Sequence, residues 1–206
     1  GETAAMTLAS TGISYLLGLP LGLLLVLTDR DGIMPKPSLS RALGMVINCI
    51  RSLPFIILLV VVMPVTRAIT GTTVGSKAML VPLVIAATPY IARVVEGSIR
   101  EIDAGVIEAA QAMGASPLQI VLRVMLPEAG PSLLIGATVA TTTILGYSAL
   151  SGIVGGGGLG AIAINYGYYR RTTDIMMVAV VLLVLLVQLV QEFGGRIARR
   201  SDRRLT

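Results

Sequence analysis

Few residues in this 206-residue chain have types suited to chemistry, and composition alone excludes most familiar sites. With no His, one Cys and no Trp, there is no ligand set for a zinc or haem centre. Ser-His-Asp and Cys-His arrangements are excluded for the same reason. No cofactor, no metal and no enzymatic activity are expected. Cys49 stands in an apolar run and is expected to be buried as a small hydrophobe. Gly155, Gly157 and Gly160 satisfy G-x-G-x-x-G, the dinucleotide fingerprint, yet they follow an apolar helical stretch rather than a strand. No Lys-Ser/Thr completes a phosphate loop there. Two features remain: Arg93 and Glu96 at i, i+3, and the segment from Glu101 to Pro127.

That segment reads as two short helices with an elbow. Asp103 is a candidate N-cap, Ala-rich helical sequence follows, and Gly114 suits the left-handed residue that closes a helix. Ser116, Pro117 and Gln119 supply a second start, with cap, first-turn proline and capping-box partner. Leu118, Val121, Leu122 and Met125 fall at i, i+3, i+4 and i+7 and predict one apolar face on the second helix. Helices this short are marginal in water, so something must pack against them. Ala109, Ala110 and Ala112 allow close approach by another protein surface, and Glu108 offers a charge to match. An amphipathic hairpin lying along the membrane surface is the alternative from the residues alone.

The elements that must position this segment are membrane helices. Hydrophobic residues make up 54% of the chain and charged ones 13%, and the mean hydropathy is +0.86, too apolar for an ordinary soluble domain. The net charge of +5 therefore does not indicate nucleic acid, because there is no soluble surface to carry a basic patch. Five stretches approach the 20 or so apolar residues needed to cross a bilayer: about 4–27, 42–65, 79–99, 131–150 and 175–190. No basic leader or cleavage site precedes the first, so no signal peptide is expected. The expected fold is an all-α integral membrane protein, one transmembrane domain over 1–206, with the loop at about 101–127 between the third and fourth helices. Basic residues stay cytoplasmic, and Arg196, Arg199, Arg200, Arg203 and Arg204 put the C-terminus inside. Five spans then put the N-terminus outside and the 101–127 loop in the cytoplasm. Arg170 and Arg171 run against this rule, beside Asp174.

On this topology Gly152 to Gly160 is an outer-face turn, either flexible or closely packed, or dipping partly into the membrane. Tyr166, Tyr168 and Tyr169 are expected as interfacial anchors. Arg93 and Glu96 are either a functional pair or a structural ion pair at a helix interface. Arg51 is read as close enough to the cytoplasmic end of the second span to snorkel.

Glu108-Ala109-Ala110, three residues, Gly114, nine residues, then Val124-Met125-Leu126-Pro127 resembles the "EAA" loop of permease subunits in bacterial ATP-binding-cassette importers. The family pattern is Glu-Ala-Ala, x3, Gly, x9, Ile-x-Leu-Pro, from which this chain departs only at Val124. The resemblance implies a type I importer permease fold and a coupling helix seated on a separate ATPase subunit. Glu108, Ala109, Ala110, Gly114, Leu126 and Pro127 carry that role by position. It also implies two ATPase copies, a second copy of this chain, a periplasmic or lipid-anchored substrate-binding protein, and residence in the bacterial inner membrane.

Within that family, Asn48 to Leu59, Pro89 to Glu96, Gly146-Tyr147-Ser148-Ala149, Gly156 to Gly160 and Tyr166-Gly167-Tyr168 look like methionine importer permeases. This implies uptake of D- and L-methionine. A permease for another amino acid or small zwitterion or anion is the neighbouring alternative, and an ATPase-independent channel or scaffold the distant one. The substrate pathway is not legible from these residues.

Overall fold

The computed structural model describes residues 1–201, so Arg203 and Arg204 of the basic tail lie outside the described residues. Helix α1 spans Glu2–Leu27 with Pro20 inside it. Ser10, Ser14, Gly18 and Gly22 recur every fourth residue on its buried face. That ridge of small side chains lets a second backbone come close. The helix that does so is the third long one, Ser76–Arg100. A Cβ on Gly22 would lie 2.5 Å from the Ala92 carbonyl oxygen and 2.6 Å from Val95 Cβ. The two helices meet along most of their length through Met79, Leu83, Ile91 and Val95, all fully buried.

The second expected span is not one helix. Residues 42–65 are divided among α2, Pro37–Arg51, α3, Phe55–Val61, and α4, Met63–Thr70. The axes of α2 and α3 differ by 103°. Pro54 is the cause: it has no N–H to continue the ladder, and it holds the residue before it out of helical geometry. The Ile50 carbonyl, which would have received the missing N–H, accepts instead from the Leu53 N–H at 3.2 Å, and the Ser52 hydroxyl donates to the Asn48 carbonyl at 2.8 Å. Pro82 and Pro89, by contrast, leave the Ser76–Arg100 helix, α5, unbroken.

After α5 come α6, Ala104–Ala112, and α7, Pro117–Ile120. A π-helical turn, Val121–Met125, and the short α8, Leu126–Glu128, lead into α9, Gly130–Ser148. A 3-10 turn at Ala149–Val154 precedes α10, Leu159–Ile162, a second π-helical stretch at Ala163–Tyr168, and α11, Thr173–Ser201. Among the described residues four helices are long and apolar enough to cross a membrane, and the bent α2–α3 pair makes a fifth if it counts as one span. The last helix runs well past 190: beyond its apolar stretch the helix continues, braced by Arg196 and Glu192 one turn apart at 2.6 Å.

The bundle has two distinguishable ends. One carries the Thr28–Lys36 loop, the C-terminus of α5, α6 and the start of α9, joined by Arg100 to Asp29 and by Ser132 to Glu101. The other carries the N-termini of α1 and α5 and the glycine-rich turn. There the Ser76 hydroxyl donates to the Glu2 carboxylate at 2.9 Å and accepts from the Gly157 N–H at 3.0 Å. Thr3 Oγ1 accepts from the Leu159 N–H at 2.8 Å. The turn is thus closely packed, with Gly155 and Gly158 at φ +64° and +99°. The amides of Gly157 and Leu159 are taken by side chains of α5 and α1, while those of Gly155 and Gly156 donate to the Gly152 and Ser151 carbonyls.

Candidate functional site

The elbow between α5 and α9 forms as its residues predict. The Asp103 side chain accepts from the Gly105 N–H at 2.7 Å and caps α6. The end of α6 is a complete Schellman closure: the Ala115 N–H donates to the Ala110 carbonyl at 3.1 Å and the Gly114 N–H to Gln111 at 2.9 Å. Gly114 sits at φ +76°, with nothing within 4 Å of where a Cβ would be. Ser116 and Gln119 then make both halves of a capping box at the start of α7.

Exposure divides the elbow into an anchored side and an open side. Ala110, Ile120, Val121 and Met125 are buried in the core cluster, with Ile107, Ala115 and Leu126 packed against it. Val106 and Ala109 on α6 and Met113 at its C-cap, at i, i+3 and i+7, are exposed, as are Leu118 and Leu122. Met113 is 81% and Leu118 67% exposed. The predicted single apolar face is therefore wrong in detail. Val121 and Met125 point into the bundle while Leu118 and Leu122 point away, because the helix widens at residues 121–125 and has apolar surface on both sides.

Of the six residues singled out in the sequence, Glu108, Ala109, Gly114 and Pro127 are exposed, Ala110 is buried and Leu126 half-buried. Ala110 thus seats α6 on the bundle, whereas Glu108 and Ala109 face away from it. Of the exposed residues Val106, Met113, Leu118 and Leu122, the last two were read as part of the apolar face, whereas Val106 and Met113 were missed, although their spacing with Ala109 carries them. The elbow thus combines exposed apolar side chains with a capped backbone.

A charged chain braces the same end of the bundle. Arg93 donates to Glu96 at 2.6 Å, to the Gly44 carbonyl at 3.2 Å and to Asn48 Oδ1 at 3.0 Å. Glu96 also binds Arg100 at 3.1 Å, and Arg100 reaches Asp29 at 2.5 Å. Three elements, α2, α5 and the loop after α1, are tied by one relay. The hydrogen bond from Arg100 holds the Asp29 carboxyl below its ordinary range, with the backbone N–H of Arg30 acting in the same direction. The pair at Arg93 and Glu96 is thus a structural ion pair that also clamps α2. Cys49 does not behave as expected: it is exposed, on the wall of a cleft shared with Arg93 and Glu96. The amphipathic α2 turns that face outward.

Arg51 also departs from expectation. It is the last residue of α2, about four turns from Pro37, too deep to snorkel back along its own helix. Tyr166 and Tyr168 on the second π-helical stretch and Tyr169 just after it are exposed, with the Arg170 guanidinium 4.6 Å above the Tyr166 ring.

A helical bundle of this kind, with a capped elbow projecting between its third and fourth long segments, defines a membrane permease. The chain belongs to the family of binding-protein-dependent transport system inner membrane components, whose model matches residues 18–206. It is a multi-pass inner-membrane protein. Among its relatives, the probable D-methionine transport system permease protein MetI of Vibrio cholerae is 46% identical over 203 residues, covering 98% of this chain and 90% of that one. The D-methionine permease MetI of Escherichia coli K12 is 48% identical over 151 residues, 73% of this chain and 70% of that one. A chain of the MetNI methionine ABC transporter solved in inward-facing conformations superposes with a TM-score of 0.96 at 48% identity, covering 98% and 94% of the two chains. An amino acid ABC transporter at 20% identity shares the fold, with a TM-score of 0.77.

Proposed function

We propose that this chain is the permease subunit of an ATP-driven methionine importer, with α6 as the coupling helix that sits on the ATPase subunit. The observation that carries the coupling role is the open side of the elbow. Val106 and Ala109 are exposed beside Glu108 on α6, whose other side is fixed to the bundle by Ala110, and Met113 at its C-cap and Leu118 on α7 are exposed as well. Apolar surface in that position is stabilised by a protein partner, and the Schellman closure and capping box make it rigid enough to transmit a push. Leu126 and Pro127 join the elbow to α9, so motion of α6 is passed directly to a membrane helix. Two copies of the chain enclose the pathway, two ATPases supply the stroke, and a periplasmic or lipid-anchored protein delivers substrate. The relatives' assignment to methionine supports the substrate.

The end bearing α6 is cytoplasmic in this reading. Arg30, Lys36, Arg41, Arg100, Arg123, Arg196, Arg199 and Arg200 lie on that end, and fewer basic residues, Arg67, Lys77, Arg170 and Arg171, lie toward the other. The N-terminus is then outside and the C-terminus inside.

The test is uptake of labelled methionine by the chain reconstituted with a methionine-importer ATPase and binding protein, in competition with a panel of amino acids. Methionine is expected to compete best. Glu108→Lys is expected to weaken ATPase docking and substrate-stimulated hydrolysis while membrane insertion is unchanged. A panel in which methionine fails to compete refutes the substrate, and a Glu108→Lys complex with normal coupling refutes the role of α6.

A further inference from the structure

The break at Pro54 leaves a cavity of about 180 Å³ between α2, α3, α5 and α9. At roughly 30 Å³ per water, that is room for about six waters, or one small amino acid. Its depth follows from its walls. Ala86, Ala87 and Tyr90 line it from α5, and these residues bracket the midpoint of the Ser76–Arg100 helix. Thr143 and Tyr147 line it from α9. The cavity therefore lies near the middle of the membrane, beside a discontinuous helix, where transporter substrate sites are commonly built.

The wall chemistry is asymmetric. Arg51 brings a guanidinium to the cavity and makes no hydrogen bond or ion pair among the described residues. The other arginine of this interface, Arg93, is held through its terminal nitrogens by Glu96, Asn48 and Gly44, with only its Nε unpartnered among the described residues, and is one to two turns away along α5. An unpaired cation at this depth is not tolerated against hydrocarbon, so the face it opens on must be wet or ligand-filled. Opposite it are apolar walls from Leu58, Ala87 and Ile144 and the stacked rings of Phe55 and Tyr147, 4.4 Å apart and parallel. The hydroxyls of Tyr90 and Tyr147 donate to no atom among the described residues, and Thr143 donates to Val139 while keeping a free lone pair. No carboxylate lines the cavity.

We infer that this cavity is a transient binding site for the transported amino acid, in which Arg51 holds the α-carboxylate and the apolar walls take an unbranched, uncharged side chain. The inference rests on the importer reading above and deepens it. Neutral oxygens of Tyr90, Thr143 and Tyr147 are left for the ammonium group. With a charge on one side only, the site depends on the carboxylate more than on the ammonium. Recognition is correspondingly loose, as suits a site that must release what it takes. The same argument fixes which face of the chain borders the pathway: the face onto which Arg51 opens.

The experiment uses the complete complex with its ATPase and binding protein in liposomes, with Cys49 replaced by Ser and Ala86 by Cys. The rate of Ala86→Cys modification by a small thiosulfonate reagent is measured with methionine, with methionine amide and with neither. Methionine is expected to slow modification several-fold and the amide to have little effect. In Arg51→Leu, protection is expected to require about tenfold more methionine, the loss of one charge-assisted pair, with Arg51→Lys in between. Equal protection by methionine and its amide, or none by either in a complex that takes up methionine, overturns the site and leaves the importer reading standing. A parent complex that takes up no methionine refutes both. The amide comparison needs no substitution at Arg51, so it holds even if Arg51→Leu fails to fold.

Discussion

Substitution of Gly114 separates backbone conformation from side-chain volume at the proposed coupling elbow. At φ +76° a non-glycine L-residue carries a strain of roughly 1–2 kcal/mol, less for Asn, whose short polar side chain tolerates the left-handed region. No atom lies within 4 Å of the Cβ position, so the elbow itself adds no steric cost. Gly114→Ala is therefore expected to destabilise the closure of α6 by about 1 kcal/mol net of the chain entropy it removes. This shifts the ratio of closed to frayed elbow by about fivefold. Gly114→Val should be worse, since a β-branched residue is a genuine outlier at positive φ. Gly114→Asn should lie closest to the parent. The assay is substrate-stimulated ATP hydrolysis and methionine uptake by the reconstituted complex, with detergent-extracted yield as the control for insertion. The order Gly, Asn, Ala, Val supports the conformational argument. The order Gly, Ala, Asn, Val would refute it, because activity would then follow the volume that a partner surface must accommodate and not the backbone angle.

Two further perturbations probe the frame that holds the elbow. Glu96→Gln removes the carboxylate shared by Arg93 and Arg100, leaving Arg93 with only the Gly44 carbonyl and Asn48. A loss of about 2 kcal/mol is expected, below the range for a fully buried pair because Arg93 is 27% and Arg100 50% exposed at the side chain. Thermal unfolding in detergent should show it, and Arg93→Gln in the same chain should recover part of the loss; strictly additive effects would mean that the two residues are not coupled. Gly22→Ala forces a methyl against the Ala92 carbonyl and Val95, at an expected cost of about 1–3 kcal/mol, whereas Gly12→Ala, with nothing within 4 Å, should be close to neutral. Equal melting temperatures for the two variants would contradict the close approach of α1 and α5.

Local signals were read correctly wherever a few adjacent residues suffice. Asp103, Gly114, Ser116 and Gln119 took their predicted roles because caps and left-handed closures are satisfied within one turn. The ion pair at Arg93 and Glu96 formed for the same reason, since i, i+3 residues share a helix face. Apolar length identified the other four membrane helices, and only the second expected span was overestimated as a single helix. Three prolines inside helices were accommodated, at 20, 82 and 89, while Pro54 broke its helix. Sequence cannot rank them, because the outcome depends on which neighbours satisfy the freed backbone groups.

Sequence by itself determined the class of protein, the number of apolar segments and the helical elbow, because hydropathy and capping are properties of short contiguous stretches. Tertiary structure decided which side of the elbow is open, since Val121 and Leu118 differ only in what packs against them. It decided that Cys49 is exposed and that Arg51 lies four or so turns deep without a partner among the described residues. It also showed that Glu2, Ser76 and Gly157, distant in the chain, close one end of the bundle together. Each of these depends on contacts between helices far apart in sequence, where residue type sets what a side chain needs and only packing sets what it meets.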